Sequence, residues 1–204
     1  MGLLLFLLFA ATPAALVDAT SAAPGIRLDV RYATANNFTR TRLYDAAACY
    51  LREPAARALA AVQRDLARQG LGLKVYDCYR PLSVQRKLWA LVPDERYVAN
   101  PAKGSRHNRG AAVDVTLVDG RRRELAMPTP YDDFSERAHR NYTKLPSNVL
   151  RNRALLEEVM KRHGFEGLAT EWWHFDFRGW EAYTVEDRSF GELERSARTT
   201  RGQD

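Results

Sequence analysis

The segment AAVDVTLV (111–118) constrains the fold more than any other stretch of this chain, because it alternates like a strand and ends at the turn dipeptide Asp119-Gly120. On a pleated strand Ala111, Val113, Val115 and Leu117 would line one face, and Ala112, Asp114 and Thr116 the other. Beyond the turn, RRELAM (122–127) is the expected return strand, so antiparallel pairing is expected. LGLKVYDCY (71–79) reads as a further strand ended by Arg80-Pro81, and EWWHFDF (171–177) as an aromatic one. Helices are expected over Pro54–Gly70, Ser83–Val92 and Ser147–His163, the last with Ser147 as N-cap and Gly164 as stop. Strands and helices alternate without the regular period of a doubly wound sheet. The expected fold is α+β: a single domain whose mostly antiparallel sheet is flanked by helices.

The chain of 204 residues has 46% apolar content, enough for one well-packed domain. Its net charge of +6 comes mostly from arginines scattered along the sequence, with no basic stripe interleaved with aromatics. Nucleic acid is therefore not an expected partner. The start carries an apolar run, Leu3–Ala11, too short to span a bilayer and followed by small residues. Residues 1–22 are accordingly assigned to a signal peptide cut after Ala19 or near Ala22, although no Lys or Arg precedes the run. Export to the periplasm or medium is the expectation, with no stable span in the mature form; a cytoplasmic protein is the alternative. Cys49 and Cys78 fit either a disulfide, worth about 3 kcal/mol across such a loop, or two buried thiols. Residues 23–190 form the expected domain, and 191–204 a polar tail without an apolar face. The oligomeric state is open.

Two segments carry chemistry. SRHNRGAAVD (105–114) places His107 on a glycine-containing loop and Asp114 on the strand face opposite the apolar one. EWWH (171–174) sets a carboxylate three residues before an imidazole, which a regular strand would point the opposite way. Both can reach one metal only if Glu171 lies in a bend before the strand or a bulge intervenes. Two imidazoles and a carboxylate are the ligand set of a catalytic zinc. Taken singly, the first segment can also be a structural His–Asp pair, and the second an aromatic core strand.

Ser105, His107, Gly110, Ala112 and Asp114 match the pattern Ser-x-His-x-x-Gly-x-Ala-x-Asp, and Glu171–His174 match Glu-Trp-Trp-His in full. With RYATANNFT (31–39) and VYDCYRP (75–81), these segments resemble the D-alanyl-D-alanine dipeptidases among the zinc D,D-peptidases. The resemblance implies one Zn2+ per subunit on the sheet, held by His107, Asp114 and His174, with Glu171 as general base and Arg80 stabilising the oxyanion. It further implies substrate contacts from Tyr32 and Asp132 to the free amine of a small dipeptide, and from Ser105 near the carboxylate. Asp77 is assigned either to orienting Arg80 or to lining the substrate pocket.

Overall fold

The computed structural model of the chain describes residues 14–201. The apolar run Leu3–Ala11 lies outside the described residues. Strand β1 (Leu16–Asp18) pairs antiparallel with β3 (Tyr50–Arg52), and the short helix α1 (Ala19–Ala22) follows β1. A five-stranded sheet takes the order β2 (Arg27–Leu28), β4 (Leu71–Asp77), β5 (Ala112–Asp119), β7 (His174–Phe177), β6 (Phe165–Gly167). Only the β2–β4 pairing is parallel. The expected return strand over 122–127 shrinks to one bridge, Val118 to Glu124. The reason is local: Asp119 accepts the backbone N–H groups of Arg121 and Arg123, which holds this segment in a turn.

Helix α3 (Leu82–Leu91) follows β4, while helix α2 (Glu53–Ala67) packs on β4 and on α4 (Ser147–Arg162), and α4 reaches β5 and β6. Leu59, Val62 and Leu66 of α2 meet Leu156, Val159 and Met160 of α4 in one core with Val113, Val115 and Leu117. The alternation of β5 thereby commits Asp114 to the other face. Pro146, not Ser147, is the N-cap of α4, and its ring carries no side-chain donor or acceptor. His163 ends α4 and lies 2.7 Å from Asp65 through Nε2, a structural pairing.

Two boundaries differ from the sequence expectation. Residues 16–22, assigned to a removable leader, belong to the fold. Ala19 is fully buried and donates its N–H to the Cys49 carbonyl at 2.8 Å, and the Leu16 side chain packs on Gly110. A cut after Ala19 or Ala22 would strip β3 of its partner strand. The expected polar tail is instead helix α5 (Phe190–Arg201). Phe190 and Leu193, one turn apart, are buried against Tyr44, Tyr50 and Tyr79, and each such side chain contributes about 1.5–3 kcal/mol. Its start is a capping box: the Ser189 N–H donates to Glu192 Oε2 at 2.7 Å, and the Glu192 N–H donates to Ser189 Oγ at 3.3 Å. That Ser-x-x-Glu spacing was visible in the sequence. Of the two readings for the cysteines, the structure takes the disulfide, Cys49–Cys78, which pins the segment before β3 to the end of β4.

Candidate metal centre and active-site cavity

Sheet register assembles the site. Asp77 on β4 sits opposite Asp114 on β5, and Asp114 opposite His174 on β7, so three polar side chains stand at one level across three strands. A register shift between Val75 and Asp77 brings Asp77 into that row. His107 comes from the 3-10 turn His107–Arg109 just before β5. Gly110 closes the turn at φ +67°, where a Cβ would also overlap Leu16 Cδ2. The motif glycine is thus required both by backbone conformation and by the N-terminal strand packed on it.

His107 Nε2, Asp114 Oδ1 and His174 Nδ1 converge. His107 Nε2 lies 3.2 Å from His174 Nδ1 and 3.4 Å from Asp114 Oδ1, and His174 Nδ1 lies 3.0 Å from Asp114 Oδ1. All three residues are buried. The reverse side of each donor is held in place. His107 Nδ1 is 2.6 Å from the Cys78 carbonyl, which can only accept, so Nδ1 carries the hydrogen and Nε2 presents its lone pair inward. His174 Nε2 is 2.9 Å from Asp176 Oδ1, which orients Nδ1 inward by the same argument. Tyr131 donates its hydroxyl to Asp114 Oδ2 at 2.9 Å. Burial opposes ionisation of Asp114, but the two histidines outweigh it and hold the carboxyl well below the usual carboxylate range. Burial likewise disfavours the His174 imidazolium, yet Asp114 and Asp176 push its pKa up to about 10; a metal cation at Nδ1 would replace that proton. Two imidazoles and a carboxylate, each oriented from behind, fit a divalent metal.

Glu171 lies outside the strand. The chain turns after β6, with the Glu171 N–H donating to the Leu168 carbonyl, and bends through Trp172 and Trp173 before β7 begins at His174. The bend demanded by the EWWH spacing is therefore present. Both tryptophans are buried: Trp172 Nε1 donates to Thr129 Oγ1 at 3.0 Å, and Trp173 packs edge-on against Tyr131. Glu171 consequently shares a cavity of about 270 Å³ with His107, Asp114 and His174. Burial raises its carboxyl above the usual range.

Arg80 lines the same cavity and is buried. Its Nε and Nη2 donate to Asp77 Oδ2 at 3.2 and 2.6 Å, and Nη1 donates to Gln85 Oε1 at 2.9 Å. A guanidinium carries five N–H donors, so one hydrogen on each Nη is left over. Tyr32 stacks under the guanidinium with 5.0 Å between Cζ and the ring centroid, and donates its hydroxyl to Asp132 Oδ2 at 3.2 Å. Asp132 adopts φ +60°, a conformation costly for a residue with a Cβ, and it faces the cavity. Burial, with the charges of Asp114 and Glu171, raises its carboxyl well above the usual value. Ser105 also lines the cavity; its Oγ accepts the Asn108 N–H at 3.2 Å.

Of the sequence-assigned residues, Asp77 alone does not reach the cavity. It is fully buried and accepts from Tyr44 Oη at 2.7 Å and the Cys78 N–H at 2.9 Å besides Arg80. Of its two assigned roles, orienting Arg80 is the one its contacts allow. Sequence reasoning missed Tyr131, Gln85, Asn108 and Asp176. Asn108 links the two motif turns by accepting the Ser105 N–H at 2.7 Å and donating to the Arg80 carbonyl at 2.8 Å. Only Asp176 had a usable signal: in a strand, His174 and Asp176 share a face. Asp176→Ala is expected to weaken zinc affinity about 10–100-fold, measured by competition with a chelating indicator, while thermal stability with metal bound stays near wild type. An unchanged affinity would remove Asp176 from the metal centre.

Comparison with known proteins places the chain among peptidases. A peptidase M15 family model described as D-ala-D-ala dipeptidase matches residues 12–191, a span that includes β1 and the start of α5. A D-alanyl-D-alanine dipeptidase of Escherichia coli (strain K12) is 39% identical over 161 residues, covering 79% of this chain and 83% of that protein. A D-alanyl-D-alanine dipeptidase of Enterococcus faecium is 32% identical over 175 residues, covering 76% of this chain and 87% of that protein.

Proposed function

This chain belongs to the D-Ala-D-Ala dipeptidase family of M15 peptidases, and from that premise we propose that it hydrolyses the dipeptide D-Ala-D-Ala to two molecules of D-alanine using zinc held by His107, Asp114 and His174. The observation that carries the reading is the meeting of three oriented donor atoms, Glu171 and Arg80 in one small cavity. Zinc bound there would supply Lewis acidity at the scissile carbonyl and acidify water near pH 7. Glu171 takes a proton from the attacking water as its oxygen bonds to the carbonyl carbon. The same carboxyl then returns the proton to the leaving nitrogen as the C–N bond breaks. Arg80 offers its two uncommitted N–H groups to the developing oxyanion, in an orientation imposed by Asp77 and Gln85.

Asp132 supports the preference for a dipeptide. A partly buried carboxylate near two others favours a cation, and the free ammonium of a dipeptide is one. Burial and the Asp132 charge push the Tyr32 phenol well above its ordinary pKa, so it stays a donor and holds the carboxylate in place. Export is part of this proposal, and the Cys49–Cys78 bond supports it, since disulfides persist in oxidising compartments.

The test is direct. Purified protein supplied with zinc and D-Ala-D-Ala is expected to release free amine, and to lose that activity on chelation and regain it with zinc. No release with zinc present would overturn the proposal.

A further inference from the structure

The cavity is lined by three arginines, and they are not equivalent. Arg80 is engaged by Asp77 and Gln85, and its two remaining donors face the reaction centre in the proposed chemistry. Arg96 folds back on Asp94 of its own loop, through Nε at 3.0 Å and Nη2 at 2.5 Å. Arg106 stands apart. Its side chain makes no hydrogen bond among the described residues, and its one ionic contact is a loose one, Nε to Asp176 Oδ2 at 3.5 Å. The guanidinium is nevertheless held, with Cζ 4.7 Å from the Trp180 ring centroid. A guanidinium stacked by its face keeps its edges free for a planar anion.

We propose that Arg106 docks the free C-terminal carboxylate of the dipeptide, an inference that rests on the dipeptidase reading above. Position and chemistry both support it. Arg106 directly precedes the ligand His107 and, through Asp176, lies on the far side of His174. Asp132 lies on the Arg80 side, joined to it through Tyr32. The cavity therefore presents both a carboxylate, Asp132, and a guanidinium held only loosely by Asp176, Arg106, to match the ammonium and carboxylate of a short zwitterion. Arg106 is itself exposed, so it can meet a partly hydrated carboxylate with a charged donor pair at its free edge.

Steady-state kinetics on D-Ala-D-Ala and on its C-terminal amide separate the possibilities. Arg106→Ala is expected to raise KM for the acid about 10–100-fold, the range for a lost charged hydrogen bond. kcat, zinc content and the kinetics on the amide should change little. Arg106→Lys should recover part of the loss, since it keeps the charge without the planar fork. Equal losses on acid and amide, or a loss that tracks zinc content, would place Arg106 behind Asp176 and overturn the proposal; so would an unchanged KM. Equilibrium binding of both ligands in a Glu171→Gln background repeats the comparison without turnover. A chain that binds the acid through Arg106 yet never cleaves it would fault the proposed hydrolysis and leave the docking role standing, and absence of any acid-over-amide preference would overturn the docking role by itself.

Discussion

Glu171→Gln is expected to lower kcat on D-Ala-D-Ala by about 10²–10⁴-fold while leaving bound zinc unchanged. The substitution keeps the shape of the side chain and removes its ability to take a proton. Three features make the loss specific. Glu171 is not among the three converging donor atoms, so the metal centre should remain intact. The Trp172 and Trp173 anchors that set the bend are untouched. The raised carboxyl, a result of burial, stands nearer neutral pH than that of an exposed glutamate and is better matched to proton transfer. Turnover and metal content measured on one preparation decide the matter. A kcat within a few-fold of wild type would remove Glu171 as the base, and a loss explained by missing zinc would show a structural role instead.

Arg80→Lys should cost about 10²–10³-fold in kcat, the range for removal of one oxyanion donor, with a much smaller change in KM. Lysine keeps the charge, so electrostatic attraction for the substrate survives. What it lacks is the fork. Arg80 satisfies Asp77 with two donors and Gln85 with a third, and still has two N–H groups to offer; an ammonium has three donors in all. Arg80→Ala is a poorer test, because it leaves the fully buried Asp77 without its cationic partner, at about 3–5 kcal/mol. If Arg80→Lys lowers kcat and raises KM by equal factors, the arginine binds substrate in the ground state and the oxyanion role is wrong. Gln85 enters here as a positioning residue: it also donates to the Ala99 carbonyl at 2.7 Å and so ties Arg80 to the loop that walls the cavity.

What could be read from the sequence divides along a physical line. The candidate metal donors, Glu171 and Arg80 were singled out by the resemblance of their segments to the zinc D,D-peptidases; taken singly, those segments also allow a structural His–Asp pair and an aromatic core strand. Periodicity located α2, β4 and β5 to within a few residues, since apolar spacing reports local geometry. It failed where long-range contact decides. The 16–22 segment has the small, apolar composition of a leader, yet β3 and Gly110 recruit it into the fold. The 191–204 segment is too polar to suggest a helix, yet Phe190 and Leu193 are enough once Tyr44 and Tyr79 offer a surface.

The residues behind the ligands fall on the same side of that line. Tyr131 reaches Asp114 across a sequence separation of 17, and Tyr44 reaches Asp77 across 33. Nothing local marks either contact, because a hydrogen bond between distant segments exists only after the sheet has set its register. The sequence by itself thus limited which residues could hold a metal or move a proton, and the motif resemblance chose among them. The tertiary structure decided that Asp77, Asp114 and His174 stand in one row, that Glu171 lies in the bend before β7 and shares a cavity with Asp114 and His174, and that Asp77 pairs with Arg80. Residue type limits chemistry at each position, but orientation depends on strand pairing and packing between segments far apart in the chain.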